Sequence, residues 1–185
     1  MYSKVYSAGL AGLEARKIVV EADVTNGLPS FQMVGLLASA VKEARERVRI
    51  SLQNSGVVFP PKRITVNLSP ADLRKDGSGF DLPIAISLIA AFGRVPLLDA
   101  EQMAFAGELS LDGRIHRVHG ALSMALVAKE SGFPAIMLPA ANAMEASFVE
   151  GIDVIGVRTL QEAIDYLCGK IKIAPVDRKS TRLNS

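Results

Sequence analysis

The order of the strand-like and helix-like segments constrains the fold of this chain most. Up to residue 36 the segments read as strands joined by Gly-containing turns, which predicts neighbouring antiparallel strands. Further along, helical and strand patterns alternate. This order is typical of a mixed α/β or α+β domain. With 185 residues, 49% of them hydrophobic, the chain is long enough for one globular core.

Individual elements follow from local periodicity. A half-buried strand is predicted over 15–24, where apolar residues occupy alternate positions: Ile18, Val20, Ala22 and Val24. A helix is predicted over 38–54, where apolar residues form one stripe: Leu37, Val41, Ala44, Val48 and Leu52. We also predict an apolar helix over 80–93, a strand over 101–109 and a helix over 120–131.

Composition narrows the cellular setting. The single cysteine, Cys168, excludes an internal disulfide and a Cys-rich zinc site, and it favours a reducing compartment, so we expect a cytoplasmic protein. The N-terminus lacks the apolar run of a signal peptide. The longest apolar stretch, 82–92, is interrupted by Pro83 and Ser87 and is too short to cross a bilayer.

The last nine residues, 177–185, differ abruptly from the rest. They are polar and aperiodic, and they match the translation of a common sequencing-library adapter. We therefore interpret them as read-through, and we expect the natural protein to continue beyond Val176. Without this tail the basic and acidic side chains are equal in number, so the overall charge of +2 does not indicate nucleic-acid binding.

Few motifs indicate chemistry by themselves. The sequence has no GxxxxGK[ST] phosphate loop, and the Gly-rich stretch 75–79 is read either as an anion cradle or as a simple connecting loop. His116 and His119 are spaced so that they could share a metal, but neighbouring ligands are missing and a structural role is favoured. Spacing alone gives Ser78 no base and therefore no role as a nucleophile.

Basic residues concentrate on the predicted helix 38–54 and just before the next strand. Those that could contact phosphates are Arg45, Arg47, Arg49, Lys62 and Arg63. Glu43 and Glu46 are interleaved with them, and Glu43 precedes Arg47 by four residues. This spacing is equally typical of a solvent-exposed helix that is stabilised by ion pairs between its own side chains. Both interpretations stay open.

Several longer segments together resemble one family. They are GLPSFQMVGL at 27–36, VKEARERVR at 41–49, RITVNLSPADLRKDGSGFDLPIAISLIAA at 63–91 and FAGELSLDGRIHRVHGAL at 105–122. This set resembles the Mg-chelatase-like AAA+ ATPase family known as YifB or ComM, over about residues 1–170.

The resemblance implies a fold and a domain order. Residues 1–172 would form the N-terminal, Lon-protease-like (ChlI-type) domain of that family, with a ribosomal-protein-like α/β topology and βαβ elements. Residues 173–176 would begin the linker to an AAA+ ATPase module that this chain lacks. Residues 177–185 stay the predicted adapter artefact.

The same resemblance allows the Ser–Lys dyad of Lon-type proteases to be located. Aligned without gaps, the nucleophile position is Gly79 and the lysine position is Leu122, while Ser78 lies one place early. Leucine cannot accept a proton, and Lys129 lies about two helical turns further on, on the order of 10 Å away. The resemblance therefore implies a protease-like domain without proteolysis.

The loop that resembles the family most has expected structural roles. Its marked residues are Asp72, Lys75, Asp76, Gly77, Ser78 and Asp81. We predict that Asp81 caps the free N–H groups of the following helix, and that Asp72 or Lys75 pins the turn.

Together these observations predict a non-catalytic domain of a DNA-acting motor. The resemblance implies a hexameric ring that hydrolyses ATP and promotes branch migration in natural transformation. We expect this fragment to bind no cofactor, and we expect ATP and Mg²⁺ in the missing module. Two alternatives stay open: a serine peptidase whose displaced dyad uses Ser78, and a magnesium-chelatase-like subunit.

Overall fold

The computed structural model describes residues 1–178, so the tail residues 179–185 lie outside it. Helices and strands follow one another as β1 (Tyr2–Ser7), β2 (Leu10–Ala11), β3 (Glu14–Ala15), β4 (Ile18–Thr25), β5 (Ser30–Val34), α1 (Ser39–Asn54), β6 (Arg63–Ser69), α2 (Asp81–Ala91), α3 (Leu97–Glu101), β7 (Met103–Phe105), β8 (Glu108–Leu109), β9 (Ile115–His116), α4 (Ala121–Glu130), β10 (Ala135–Pro139), α5 (Ala140–Ala146), β11 (Asp153–Val157) and α6 (Leu160–Leu167).

One seven-stranded sheet organises the domain, in the order β11-β10-β7-β1-β4-β6-β5. The first half of the chain supplies the antiparallel pairs β1–β4 and β4–β6, whereas β1, β7, β10 and β11 run parallel. Strand β5 joins the far edge parallel to β6. The predicted mixed α/β class is therefore confirmed, and β2–β3 and β8–β9 are short two-stranded additions.

Each face of the sheet has its own core because strand side chains alternate between faces. In β7, Phe105 belongs to the larger core, which also contains buried residues of α1, α2 and α6, whereas Ala104 belongs to the smaller core with α4 and α5. Strand β4 shows the predicted alternation, with Ile18, Val20 and Ala22 fully buried in the larger core.

The central helix α2 is buried over its whole length. It packs against β1 and β4 of the sheet and against α1 and α3. Since no face of α2 meets solvent, its sequence is apolar all round, apart from Ser87 and Asp81. Ser87 is satisfied by a bond from its hydroxyl to the carbonyl of Ile84. Asp81 needs a partner from another element.

Helix α1 presents the predicted apolar stripe to the larger core, in agreement with its 3.6-residue periodicity. The prediction of a continuous strand over 101–109 is wrong. Residues 101–102 finish α3, and the strand breaks after Phe105. Beyond the break the backbone of Gly107 bonds outside the sheet: its amide donates to Gly79 O at 2.9 Å, and its carbonyl accepts from the amide of Leu82 at 3.0 Å.

No helix within residues 1–178 is both long and apolar enough to cross a membrane.

Gly35 provides a stability test of the turn between β5 and α1. Its φ is +127°, and a Cβ would lie 2.8 Å from the carbonyl oxygen of Leu68. Because both the conformation and the space forbid a side chain, Gly35→Ala should lower the free energy of unfolding by about 3 kcal/mol. Gly12→Ala is the matched control: its φ is +69° with no atom near the added Cβ, and it should cost about 1 kcal/mol.

Urea unfolding of the two variants provides the measurement. Equal losses at Gly35 and Gly12 would contradict the close approach of β5 and β6 at this turn.

Candidate functional site

The loop between β6 and α2 forms the centre of the site. Its backbone is held from several sides: the amide of Lys75 donates to Leu36 O at 2.9 Å, and the amide of Ala38 donates to Lys75 O at 3.0 Å. At the far end of the loop, the amide of Gly107 donates to Gly79 O at 2.9 Å. The loop is thus tied to the β5–α1 connection and to the segment between β7 and β8.

The side chain of Lys75 is fully buried and its ammonium donates to the carbonyl of Pro70. Burial lowers the pKa of Lys75, and the nearby charge of Asp72 opposes that shift. Lys75 therefore closes the turn from 70 to 75 from inside. The amide of Gly77 donates to the carboxylate of Asp76 at 2.7 Å, which shapes the exposed tip of the same loop.

A buried carboxylate, Asp81, lies at the start of α2. It accepts two bonds from Arg47 of α1, from Nε at 2.8 Å and from Nη2 at 3.0 Å. It also accepts from the backbone amide of Leu109 in β8 at 3.0 Å. This bidentate ion pair joins α1, α2 and β8 in one contact.

The prediction that Asp81 caps α2 is therefore corrected. The N-cap position of α2 is Phe80, and no side chain caps the helix. The carboxylate faces Arg47 and Leu109 instead, because a fully buried charge is stabilised more by an opposite charge than by neutral N–H groups.

The assignment of Arg47 to a DNA-binding patch is corrected for the same reason. Besides the bonds to Asp81, its Nη2 donates to the carbonyl of Ala40 at 3.1 Å. Its Nη1 lies 3.6 Å from Glu43, the predicted i, i+4 pair. These contacts already engage most of the N–H donors of the Arg47 guanidinium, so few remain to bind a phosphate.

Burial raises the pKa of Asp81 to about 6, against the opposing effects of Arg47 and the Leu109 amide. The ion pair raises the pKa of Arg47. At neutral pH the pair is therefore ionised, and Asp81 takes up a proton only in mild acid.

Gly79 and Ser78 line the same small cavity but have different neighbours. A side chain at position 79 would approach Val118 and Met124 at 3.6 and 3.8 Å, so this position faces a cavity of about 70 Å³ that His119 also lines. The hydroxyl of Ser78 donates to the carboxylate of Glu108 in β8. Within residues 1–178 this carboxylate is the side-chain partner of Ser78, and no lysine or histidine bonds to that hydroxyl.

Leu122 and Lys129, considered for the missing base, both lie away from this cavity. Leu122 is on the exposed side of α4, and Met124 of the same helix lines the cavity instead. The side chain of Lys129 lies along Gly151, where an added Cβ would be 3.3 Å from its Cε. Neither residue therefore supplies a base to the loop at 77–79.

Asn142 of α5 positions the wall of the cavity. Its fully buried side chain accepts from the amide of Val118 at 2.8 Å and donates to the carbonyl of Val118 at 3.0 Å. Because both backbone groups are satisfied by one amide, the segment entering α4 is held rigidly against the loop.

The other basic residues separate into two groups. Arg49 donates to Glu46 at 2.8 Å and is an intrahelical partner. Arg45 reaches the carbonyl of Phe31 in β5 at 3.4 Å, while Lys62 and Arg63 stand exposed where β6 begins beside β5. Arg45, Lys62 and Arg63 thus surround the β5 edge of the sheet, and we call them the β5-edge cations.

Both histidines, His116 and His119, are exposed. Within residues 1–178 no group of three or more His, Cys, Asp or Glu side chains could hold a metal ion.

Sequence reasoning missed three residues of the site: Glu108, Asn142 and Met124. Their partners are distant in sequence, so no local pattern marks them. One signal was available for Arg47, because a lone carboxylate at the start of an apolar helix needs a buried cation.

Comparison with known proteins adds two findings. The family described as "Subunit ChlI of Mg-chelatase" matches residues 20–142. The chain is 40% identical over 169 residues to "Competence protein ComM" of Haemophilus influenzae, and 40% identical over 168 residues to "Uncharacterized protein YifB" of Escherichia coli; each match covers 91% of this chain and 33% of the relative.

A more distant relative is named as a protease. The chain is 28% identical over 129 residues to "Archaeal Lon protease" of Methanocaldococcus jannaschii, which covers 69% of this chain and 20% of that protein. The chain thus spans about a third of the length of the curated relatives that it matches over most of its own length.

The titration of Asp81 provides a test of the buried pair. An unfolded Asp has a pKa of about 3.9, so a folded value of about 6 means that this group stabilises the fold in acid and loses that contribution as pH rises through 6. Between pH 4 and 7 the free energy of unfolding of the native chain, relative to Asp81→Asn, should fall by about 2 kcal/mol.

Chemical unfolding of both chains across this pH range measures the difference. If the free energy of unfolding of the native chain relative to Asp81→Asn rose with pH, the pKa of Asp81 would be lowered in the folded protein. That result would refute burial as the largest influence on this pKa.

Proposed function

The chain belongs to the family of the ChlI subunit of Mg-chelatase, with ComM and YifB among its relatives, and we propose that it is a non-catalytic N-terminal domain of an ATP-driven, DNA-acting motor. In this proposal the whole protein assembles as a hexameric ring in the cytoplasm. This domain helps the ring to assemble or to bind DNA.

The observation that carries the non-catalytic assignment is the surroundings of Gly79. Gly79 has no side chain to act as a nucleophile, and the hydroxyl of Ser78, which lines the same cavity, bonds to the carboxylate of Glu108. A carboxylate is a much weaker base than an amine or an imidazole, so it activates a hydroxyl poorly near neutral pH.

ATP hydrolysis belongs to the part of the protein that this chain lacks. The given sequence contains no GxxxxGK[ST] phosphate loop. The relatives are about three times as long as the matched region, which leaves room for an ATPase module with its bound Mg²⁺.

A role on DNA is supported by the name of one relative and by the position of the basic residues. The relative in Haemophilus influenzae is a competence protein. In this chain the β5-edge cations Arg45, Lys62 and Arg63 are solvent-exposed at one edge of the sheet. Neutralising phosphates with such residues gives a salt-dependent, sequence-independent contact.

Recovering and expressing the uninterrupted gene tests the motor assignment. The product should hydrolyse ATP, and it should cleave no peptide or casein substrate. Ser78→Ala should leave ATP hydrolysis unchanged, because Ser78 bonds only within the domain. A product that cleaves peptides and loses this activity in Ser78→Ala would establish the peptidase alternative and refute the proposal.

Salt titration tests the contact with DNA. A fluorescent duplex is titrated with the 185-residue chain and with the double variant Lys62→Ala, Arg63→Ala. The slope of log K against log salt should become shallower by about 1 for each lost phosphate contact. Arg114→Ala, which removes another exposed basic side chain from the β8–β9 turn, is the control and should leave the slope unchanged.

The predicted tail contributes equally to all these chains, so it cancels in the comparison. Equal slopes for the double variant and the native chain would exclude the β5-edge cations as the DNA contact.

A further inference from the structure

Strand β5 forms one edge of the seven-stranded sheet, so within residues 1–178 only one side of its backbone pairs with another strand. Successive residues of a strand direct their backbone N–H and C=O groups to opposite sides. The amide of Ser30 donates to Lys62 O at 3.3 Å. Just after the strand, Leu36 O accepts from the amide of Lys75 at 2.9 Å. The even-numbered residues thus face β6 and the loop after it, and the odd-numbered residues of 31–37 direct their backbone groups outward.

A groove of about 280 Å³ follows this outer edge, between β5 and the beginning of α1. Its lining residues are three of the outward-facing residues, Met33, Gly35 and Leu37, together with Lys42 and Arg45, which lie about one helical turn apart on α1. Backbone groups at a free sheet edge can pair with a further strand. The addition of an extended peptide to such an edge is a recurring mode of peptide recognition.

The α1 side of the groove is positively charged. Lys42 and Arg45 are both exposed, and within residues 1–178 Lys42 forms no ion pair. Arg45 lies 3.9 Å from Glu46, and its Nη1 reaches Phe31 O at 3.4 Å, so its guanidinium already stands at the strand edge. The first turn of α1 has no acidic residue and no capping side chain to offset the positive end of the helix dipole. An occupant with negative charge therefore suits this groove.

The backbone edge favours a polypeptide over a nucleic acid as that occupant. A strand edge offers N–H donors and C=O acceptors together, and another peptide backbone satisfies both. Phosphate oxygens accept hydrogen bonds but donate none, so a nucleic-acid backbone would leave outward C=O groups such as that of Met33 unpaired. Lys62 and Arg63, which the DNA contact would use, lie at the opposite end of β5, where Arg63 is paired with Ser30.

The same charges disfavour a second copy of this chain as the occupant. If two copies paired through antiparallel β5 edges, the side chains of Lys42 and Arg45 from both copies would approach one another. Like charges placed opposite each other are destabilising, and charged side chains protect many natural edge strands in this way. The occupant is therefore a different segment, and an acidic one.

We propose that the groove between β5 and α1 binds an extended acidic segment of a partner protein as an additional strand of the sheet. The backbone of this segment pairs with the outward N–H and C=O groups of Met33, and its carboxylates lie on the α1 face beside Lys42 and Arg45. Val34 alternates with Met33 and is 44% exposed, so it offers the opposite face to an apolar side chain of the same segment. This site goes beyond the proposed function and does not depend on it.

Fluorescence anisotropy with synthetic peptides tests the site. The first probe is a fluorescein-labelled peptide with blocked ends in which glutamate and valine alternate, and it is titrated with the 185-residue chain at physiological ionic strength. Two further probes carry N-methyl groups, one on every glutamate amide and the other on every valine amide. Only one of these two sets of amides can face β5, because the N–H groups of a strand alternate in direction.

Methylation of one set should weaken binding about tenfold or more, because it removes the hydrogen bonds to β5, while methylation of the other set should change binding less than about twofold. Lys42→Ala together with Arg45→Ala should weaken binding of the unmethylated peptide about fivefold or more. Arg114→Ala together with Arg117→Ala removes two exposed positive charges from another part of the surface and should leave this binding unchanged. Circular dichroism verifies that both double variants are folded.

Three results would overturn the proposal. Equal binding of all three peptides would show attraction by charge without strand pairing. Absence of binding at peptide concentrations up to about 1 mM, whether or not the chain binds duplex DNA, would show that the groove takes no acidic peptide. A chain that sediments as a dimer, and that becomes monomeric on Val34→Lys, would show that a second copy occupies the edge.

Discussion

The ion pair between Arg47 and Asp81 is the contact on which the rest of this site depends. It joins residues 34 positions apart in sequence, and the backbone amide of Leu109 completes it. Without an ionised partner a carboxylate at the start of the fully buried helix α2 would be strongly destabilising. Because the pair sets how α1, α2 and β8 approach one another, it also sets where the loop at 75–80 lies and which way Ser78 and Gly79 face.

The surroundings of the loop at 77–79 are held by contacts from several elements. Val118 and Met124 line the cavity at Gly79, and Asn142 bonds to both backbone groups of Val118. The loop is held by Lys75 from inside and by Gly107 from the side. Each of these groups ties the loop to its surroundings, so the shape of the loop has a structural cause that needs no catalytic role.

Local patterns predicted the parts of the fold that depend on local order. The stripe of α1 and the alternation of β4 were read correctly because one face of each packs on a core, and the mixed α/β class and the family were confirmed. The strand over 101–109 and the cap by Asp81 were wrong, because Gly107 and Asp81 are controlled by Leu82, Arg47 and Leu109, which periodicity cannot reveal. The domain boundary at 172 and the nature of the tail stay predictions.

A double-mutant cycle between Arg47 and Asp81 tests most directly whether this pair holds the site together. Arg47→Met, Asp81→Asn and the double variant are compared with the native chain by urea unfolding at pH 7. We expect a coupling free energy of about 2–3 kcal/mol, because either single change leaves its former partner without a counter-charge in the interior. A coupling below about 0.5 kcal/mol would contradict the account, since it would mean that the two side chains contribute to stability independently.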